Sequence, residues 1–118
     1  MIALLGEDSA VKQRFSEASE MFTSIVVLGE LYYGARKSAR VASNLETVDQ
    51  FAAASRVLGC DAITAQHYGQ IKNLLREKGR PIPENDIWIA ATAKQHGLTI
   101  ASRDNHFDTI EDLRTDHW

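Results

Sequence analysis

One cysteine, two prolines and no long apolar run set the first limits on this chain of 118 residues. Cys60 has no second thiol to pair with, so no internal disulfide can staple the fold. Beside Gly59 in an apolar run, it is expected to be a small buried residue rather than a nucleophile. No hydrophobic stretch approaches the roughly 20 residues that cross a bilayer. The opening Met-Ile-Ala-Leu-Leu lacks the basic flank of a signal peptide and is too short for one. The expectation is a cytoplasmic protein with no membrane contact. Positive charge is also scarce: 13 Lys and Arg against 16 Asp and Glu give a net charge of -3. That excludes a broad electrostatic grip on nucleic acid, so any such contact must be local or metal-mediated.

What is present reads as one globular unit. Hydrophobic residues make up 44% and charged ones 25%, and the length suits a single domain over residues 1–118. No repeat, linker or low-complexity tract divides it. Basic residues cluster at Arg36, Lys37 and Arg40 and again at Lys72, Arg76, Lys78 and Arg80. They read as solvated helix faces, with a nucleic-acid patch as the alternative.

The chemistry concentrates between Pro83 and Phe107. Ile87, Ala90, Ala91 and Lys94 fall at i, i+3, i+4 and i+7, which predicts an amphipathic helix with Lys94 as its polar edge. Asp86 opens that helix, where free backbone N–H groups and the helix dipole favour an acid, and Pro81 and Pro83 mark an extended lead-in. Gly97 stops it. Leu98 to Ala101 then suits a buried strand, so Asp104, just past Ser102, falls at a strand's carboxyl end. In open α/β sheets the ligand crevice lies beyond those ends, and Asp86 and Asp104 could converge there. Two carboxylates in one crevice call for a proton or a cation between them, and hard divalent ions prefer oxygen ligands. Taken singly, each acid also fits a solvated cap or turn.

From the front, Met1 to Leu5 read as the tail of a truncated element, and Ser9 to Ala18 as a helix with Val11, Phe15 and Ala18 on one face. Met21 to Val27 is β-branched and predicts a strand, followed by a helix over Leu28 to Lys37. Glu30 then falls in that helix's first turn behind a strand end, crowded by Val26, Val27, Leu31, Tyr32 and Tyr33, where an unpaired charge would be costly. A helix over Ala42 to Ser55 buries Leu45, Val48, Phe51 and Ala52. A brief strand over Arg56 to Cys60 precedes a helix over Ala62 to Lys78, capped by Asp61 and ended by Gly79. Its core stripe is Ala62, Ala65, Tyr68, Ile71, Leu74 and Leu75. Phe107, Ile110 and Leu113 pack a closing segment, and Thr115 to Trp118 adds an edge strand. The alternation points to an α/β sandwich with a mainly parallel sheet.

The series SIVVLGELYYG, LLREKGRPIPENDIWIAATA, HGLTIASRDNHFDTI and a terminal Trp resembles the PIN-domain family, specifically the toxin half of bacterial VapBC toxin-antitoxin pairs. The resemblance covers nearly the whole chain. It implies a PIN-like three-layer α/β/α fold and a Mg2+- or Mn2+-dependent ribonuclease that cleaves RNA, works as a homodimer and is blocked by a VapB-type antitoxin. Carried over by position, Glu30, Asp86 and Asp104 match the family's acids, with Asp86 and Asp104 as metal ligands and Glu30 as ligand or general base. Ser102 and Asn85 are lesser candidates beside them. His106 in its turn reads as a solvated bystander.

One departure stands out: the family's first strand ends in an acid, commonly within Asp-Thr-Asn, and this chain has none before IALLGED. The first strand is accordingly expected to be truncated, with the sheet losing pairing on both flanks. Glu7 and Asp8 lie beyond the matching position and do not replace the acid. A PIN-like module that binds an antitoxin or dimerises without cleaving RNA is the alternative. A receiver-like phosphoacceptor is a further class, disfavoured because no lone Asp follows a central strand with a Lys-bearing strand beyond it.

Overall fold

The computed structural model describes residues 3–5, 21–102, 106–110 and 113–117. A five-stranded parallel sheet runs through it in the order β3-β2-β1-β4-β5. Its strands are β1 (Ala3–Leu5), β2 (Met21–Ser24), β3 (Arg56–Leu58), β4 (Thr99–Ser102) and β5 (Thr115–His117). Four helices accompany them among the described residues: α1 (Ile25–Arg36), α2 (Val41–Ala54), α3 (Ala62–Lys78) and α4 (Glu84–His96), with a 3-10 turn at His106–Thr109.

The expected loss of pairing on both flanks of the first strand does not occur. Ala3 and Leu4 of β1 pair with Met21 and Phe22 on one side, and Ala3 to Leu5 pair with Thr99 to Ala101 on the other. This three-residue strand sits at the centre of the sheet. The predicted helix over Ser9 to Ala18 lies outside the described residues.

Alternation along β4 shows the layering. Ile100 joins the cluster built from Val27 of α1, Ile71 and Leu75 of α3 and the buried face of α4, with Phe107 and Ile110. Its neighbour Ala101 joins the cluster of Leu28 and Ala35 of α1 with Val48 and Phe51 of α2. Successive strand residues face opposite sides of a sheet, so α3 and α4 cover one face and α2 the other. Helix α1 contributes to both clusters. The result is the three-layer α/β/α arrangement expected from the sequence.

Two boundaries differ from the sequence reading, each for a local reason. Ile25, Val26 and Val27 are helical rather than extended, because Ser24 caps α1: its Oγ accepts the Val27 N–H at 3.0 Å. A good N-cap offsets the modest helix penalty of β-branched residues. Glu30 therefore stands in the second turn of α1, not the first. Along α3, Ala62 and Ala65 are exposed while Thr64, Ile71 and Leu75 are buried, so the core stripe is rotated from the predicted one. The Asp61 cap sets that rotation: its Oδ1 accepts the N–H groups of Ile63 and Thr64, and the Thr64 hydroxyl accepts the Asp61 N–H.

Helix α4 is buried more widely than a single stripe, with Ile87, Ile89, Ala90, Ala91, Thr92 and Ala93 all in the core. Small residues let α1, α3 and β4 approach it together, and Thr92 satisfies its hydroxyl on the Trp88 carbonyl at 2.9 Å. Cys60, expected to be buried, is exposed. It lies past the end of the edge strand β3, in the link to the Asp61 cap, where no layer covers it.

Candidate active site

All five strands point the same way, so their carboxyl ends share one edge of the sheet. From β1 the chain winds outward through β2 and β3, then crosses to β4 on the other flank. The gap between oppositely wound halves is where α/β folds place ligands. Helix α1 follows β2 without a linker, so its first turns rise from that edge. Helix α4 turns into β4 through Gly97, whose φ of 65° is the left-handed conformation that ends the helix. A tight α-to-β turn places the end of α4 at the amino edge of β4 and its beginning, with Asp86, toward the carboxyl edge.

The structure places the sequence candidates on these elements. Glu30, half-buried on α1, has Oε1 shielded from solvent. Asp86, also half-buried, is in the first turn of α4, and Asn85 beside it is exposed. Helices α1 and α4, which carry Glu30 and Asp86, pack on one another. Ser102 closes β4. Asp104 lies outside the described residues, and among those described no three His, Cys, Asp or Glu side chains gather as a metal set. The donors that are described suit a hard divalent ion: carboxylate oxygens from Glu30 and Asp86, with no thiolate or imidazole demanded.

Glu30 opens onto a hollow of about 380 Å3 between α1 and α2, bounded also by Leu31, Gly34, Asn44, Thr47 and Val48. Nothing in the sequence singles out Asn44 and Thr47. Their placement against Glu30 depends on the α1–α2 hairpin angle, which periodicity does not carry. A larger hollow of about 710 Å3 lies between α3 and α4, where Leu75, Ile82 and Ile87 make an apolar floor and none of the candidate acids takes part.

A second constellation went unread. Tyr68 Oη donates to Glu84 Oε1 at 2.5 Å, and Lys72 Nζ reaches the same oxygen at 2.6 Å. Lys72 is pushed up to about 12, chiefly by its hydrogen bond to Glu84, and Glu84 is lowered, chiefly by its hydrogen bond from Lys72. The signal was available as two i, i+4 pairs, Tyr68 with Lys72 and Glu84 with Trp88, on helices that run antiparallel. It occupies Glu84 in the first turn of α4.

Residues 1–113 match the PIN domain family. The chain is 36% identical over 110 residues to the ribonuclease VapC2 of Haemophilus influenzae, spanning 92% of this chain and 83% of that one. It is 35% identical over 120 residues to the tRNA(fMet)-specific endonuclease VapC of Shigella flexneri, covering 100% and 91% of the two. The DNA-bound VapBC crystal structure from Salmonella typhimurium superposes with a TM-score of 0.90 at 31% identity, over 100% of this chain and 98% of that one. A second crystal structure, VapBC2 from Rickettsia felis bound to a promoter DNA fragment, gives 0.87 at 26% identity, over 100% of this chain and 99% of that one. This chain belongs to the PIN domain family.

Proposed function

We propose that this chain is a metal-dependent endoribonuclease, the toxin of a VapBC-type pair, held in check by a VapB-type antitoxin and working as a homodimer in the cytoplasm. The observation that carries this reading is the length of the likeness: relatives named as VapC ribonucleases align over 92 to 100% of the chain at about a third identity. A likeness of that extent includes the elements bearing Glu30 and Asp86, not only a shared core.

In the proposed site, Asp86 and Asp104 hold a Mg2+ or Mn2+ ion, and Glu30 either completes the ligand set or takes the proton of the attacking water. When bound, such an ion lowers the pKa of a water and neutralises charge gathering on the phosphate. Glu30 suits the base role by its place in the wall of the α1–α2 hollow. Ser102 and Asn85 contribute hydrogen bonds to a water or a phosphoryl oxygen. The residues themselves form no bond to phosphorus.

The deciding experiment compares wild-type protein with Asp104→Asn on RNA in the presence of Mg2+, beginning with initiator tRNA, for which the Shigella relative is named. The variant is expected to lose cleavage and to keep its melting temperature. Undiminished cleavage by Asp104→Asn rejects the assignment of that residue, and absence of cleavage by the wild type with either ion rejects the enzyme.

A further inference from the structure

The face of α1 that carries Glu30 continues outward through Tyr33, Gly34 and Lys37, at i+3, i+4 and i+7. Tyr33 is 67% exposed, more than any other large hydrophobic side chain noted among the described residues, so core packing does not account for it. Lys37 Nζ sits 4.9 Å from the centre of its ring, covering one face and leaving the other to solvent. Arg36 and Arg40 are exposed nearby, a local concentration of positive charge in a chain whose net charge is -3.

The hollow between α1 and α2 lies against the same face. At about 380 Å3 it falls at the small end of ligand clefts, which run from about 300 to 1,000 Å3. Gly34 keeps one wall low, since a Cβ built there meets nothing within 4 Å. Asn44 is steadied by the bond from its Nδ2 to Ser38 Oγ at 2.9 Å, which leaves its carbonyl oxygen to accept from a ligand. A planar group flanked by Leu31 and Val48, with an amide at its edge, fits that lining.

We propose that this face is a nucleotide subsite for single-stranded RNA. The nucleotide flanking the scissile phosphate lodges its base in the hollow at Asn44, the next base stacks on Tyr33, and Lys37 and Arg40 meet the phosphates between them. Single strands are recognised in this way, by aromatic stacking, base-edge hydrogen bonds and local cations. A docked protein helix would instead require an apolar stripe that continues past Leu31 and Val48, and beyond the hollow this face offers one aromatic ring among cations. The proposal rests on the nuclease reading, because it is Glu30 in the hollow's wall that makes the bound strand productive.

The test uses the full chain and a fluorescein-labelled, mixed-sequence single-stranded RNA of about 12 nucleotides. Anisotropy in EDTA reads binding without cleavage, and kcat/KM in Mg2+ reads turnover on the same RNA. Tyr33→Ala and Asn44→Ala are each expected to weaken binding roughly tenfold, within the range of a lost base contact, and to raise KM with little change in kcat. Tyr33→Phe should bind as wild type does, and the exposed positions should leave the melting temperature in place. Wild-type binding and cleavage by both alanine variants overturns the proposal while leaving the nuclease reading intact. Failure of the wild type to cleave, with Tyr33→Ala still weakening RNA binding, overturns the nuclease reading and keeps the subsite. Altered self-association of Tyr33→Ala in sedimentation, with RNA binding unchanged, assigns the face to a second copy of the chain and also overturns the proposal.

Discussion

Tyr68 and Trp88 stack across the seam between α3 and α4, ring centroids 4.1 Å apart and planes inclined by 16°. The pair ties the two helices together two residues along from Asp86, so it fixes where the first turn of α4 stands. Truncating Trp88 removes a half-buried indole and the stack with it. Trp88→Ala is expected to destabilise the fold by about 2 to 3 kcal/mol, and Trp88→Phe by about 1 kcal/mol, since it keeps an aromatic partner. Urea unfolding of the three proteins gives the comparison, and equal losses for Ala and Phe would show that stacking is not what holds the seam.

Acid sensitivity should pass through Asp61. Its carboxyl is held below the usual 3.8, first by the Thr64 backbone N–H and then by the Gln95 side chain. A folded pKa below the unfolded one means that the stabilisation is present above the unfolded value and is lost as pH falls through the folded one. Asp61→Asn keeps an oxygen for the cap but does not titrate. Between neutral pH and about pH 3, the variant's urea midpoint should fall less than the wild type's. Parallel curves would place the acid lability elsewhere.

The architecture was legible because most of its signals are local. Gly79 and Gly97 end helices, Asp61 caps one, and the short apolar run Leu98 to Ala101 is β-branched in part, as suits a buried strand. What escaped was decided by side-chain capping or by groups distant in sequence. Ser24 turned Ile25 to Val27 into helix because its hydroxyl was free to cap, which propensity alone does not weigh. Cys60 was misjudged because an apolar neighbourhood in sequence says nothing about which sheet edge the residue lies past. Of the candidate site, the sequence placed Glu30 on the helix behind a strand end and Asp86 at a helix start, and both lie on those elements. The α1–α2 hollow and the Glu84 ion pair were not legible, since each is made by two helices whose mutual angle comes from packing.

Backbone conformation alone should govern substitutions at the helix stops. Gly79 and Gly97 both hold φ at 65°, and a Cβ at either would meet no atom within 4 Å. Gly97→Ala and Gly79→Ala should therefore each cost about 1 kcal/mol through the left-handed conformation and nothing through contact. Asn at either position should recover part of that, because it tolerates this region better than Ala. Thermal unfolding checks the order Gly, Asn, Ala, and a loss of several kcal/mol at Gly97 would point to a steric clash instead.

Two acids in the first turn of α4 should behave in opposite ways. Glu84 is engaged at the surface by Lys72 and Tyr68, in an ion pair whose side chains are 53% and 54% exposed. Solvent screens such a pair, so removing its charge should hardly disturb the fold or the reaction. Asp86 is half-buried and lies on the helix that packs against the one carrying Glu30. If it holds a divalent ion, Asp86→Asn should lower cleavage by at least about a hundredfold, exceeding the 10- to 100-fold typical of residues that only support metal ligands. The same variant should lose the rise in melting temperature that Mn2+ gives the wild type, a readout that needs no substrate. Glu84→Gln should retain both the Mn2+ shift and the cleavage rate. A reversed pattern, with Glu84 essential and Asp86 dispensable, would move the metal away from the sheet's carboxyl edge and onto the α3–α4 surface.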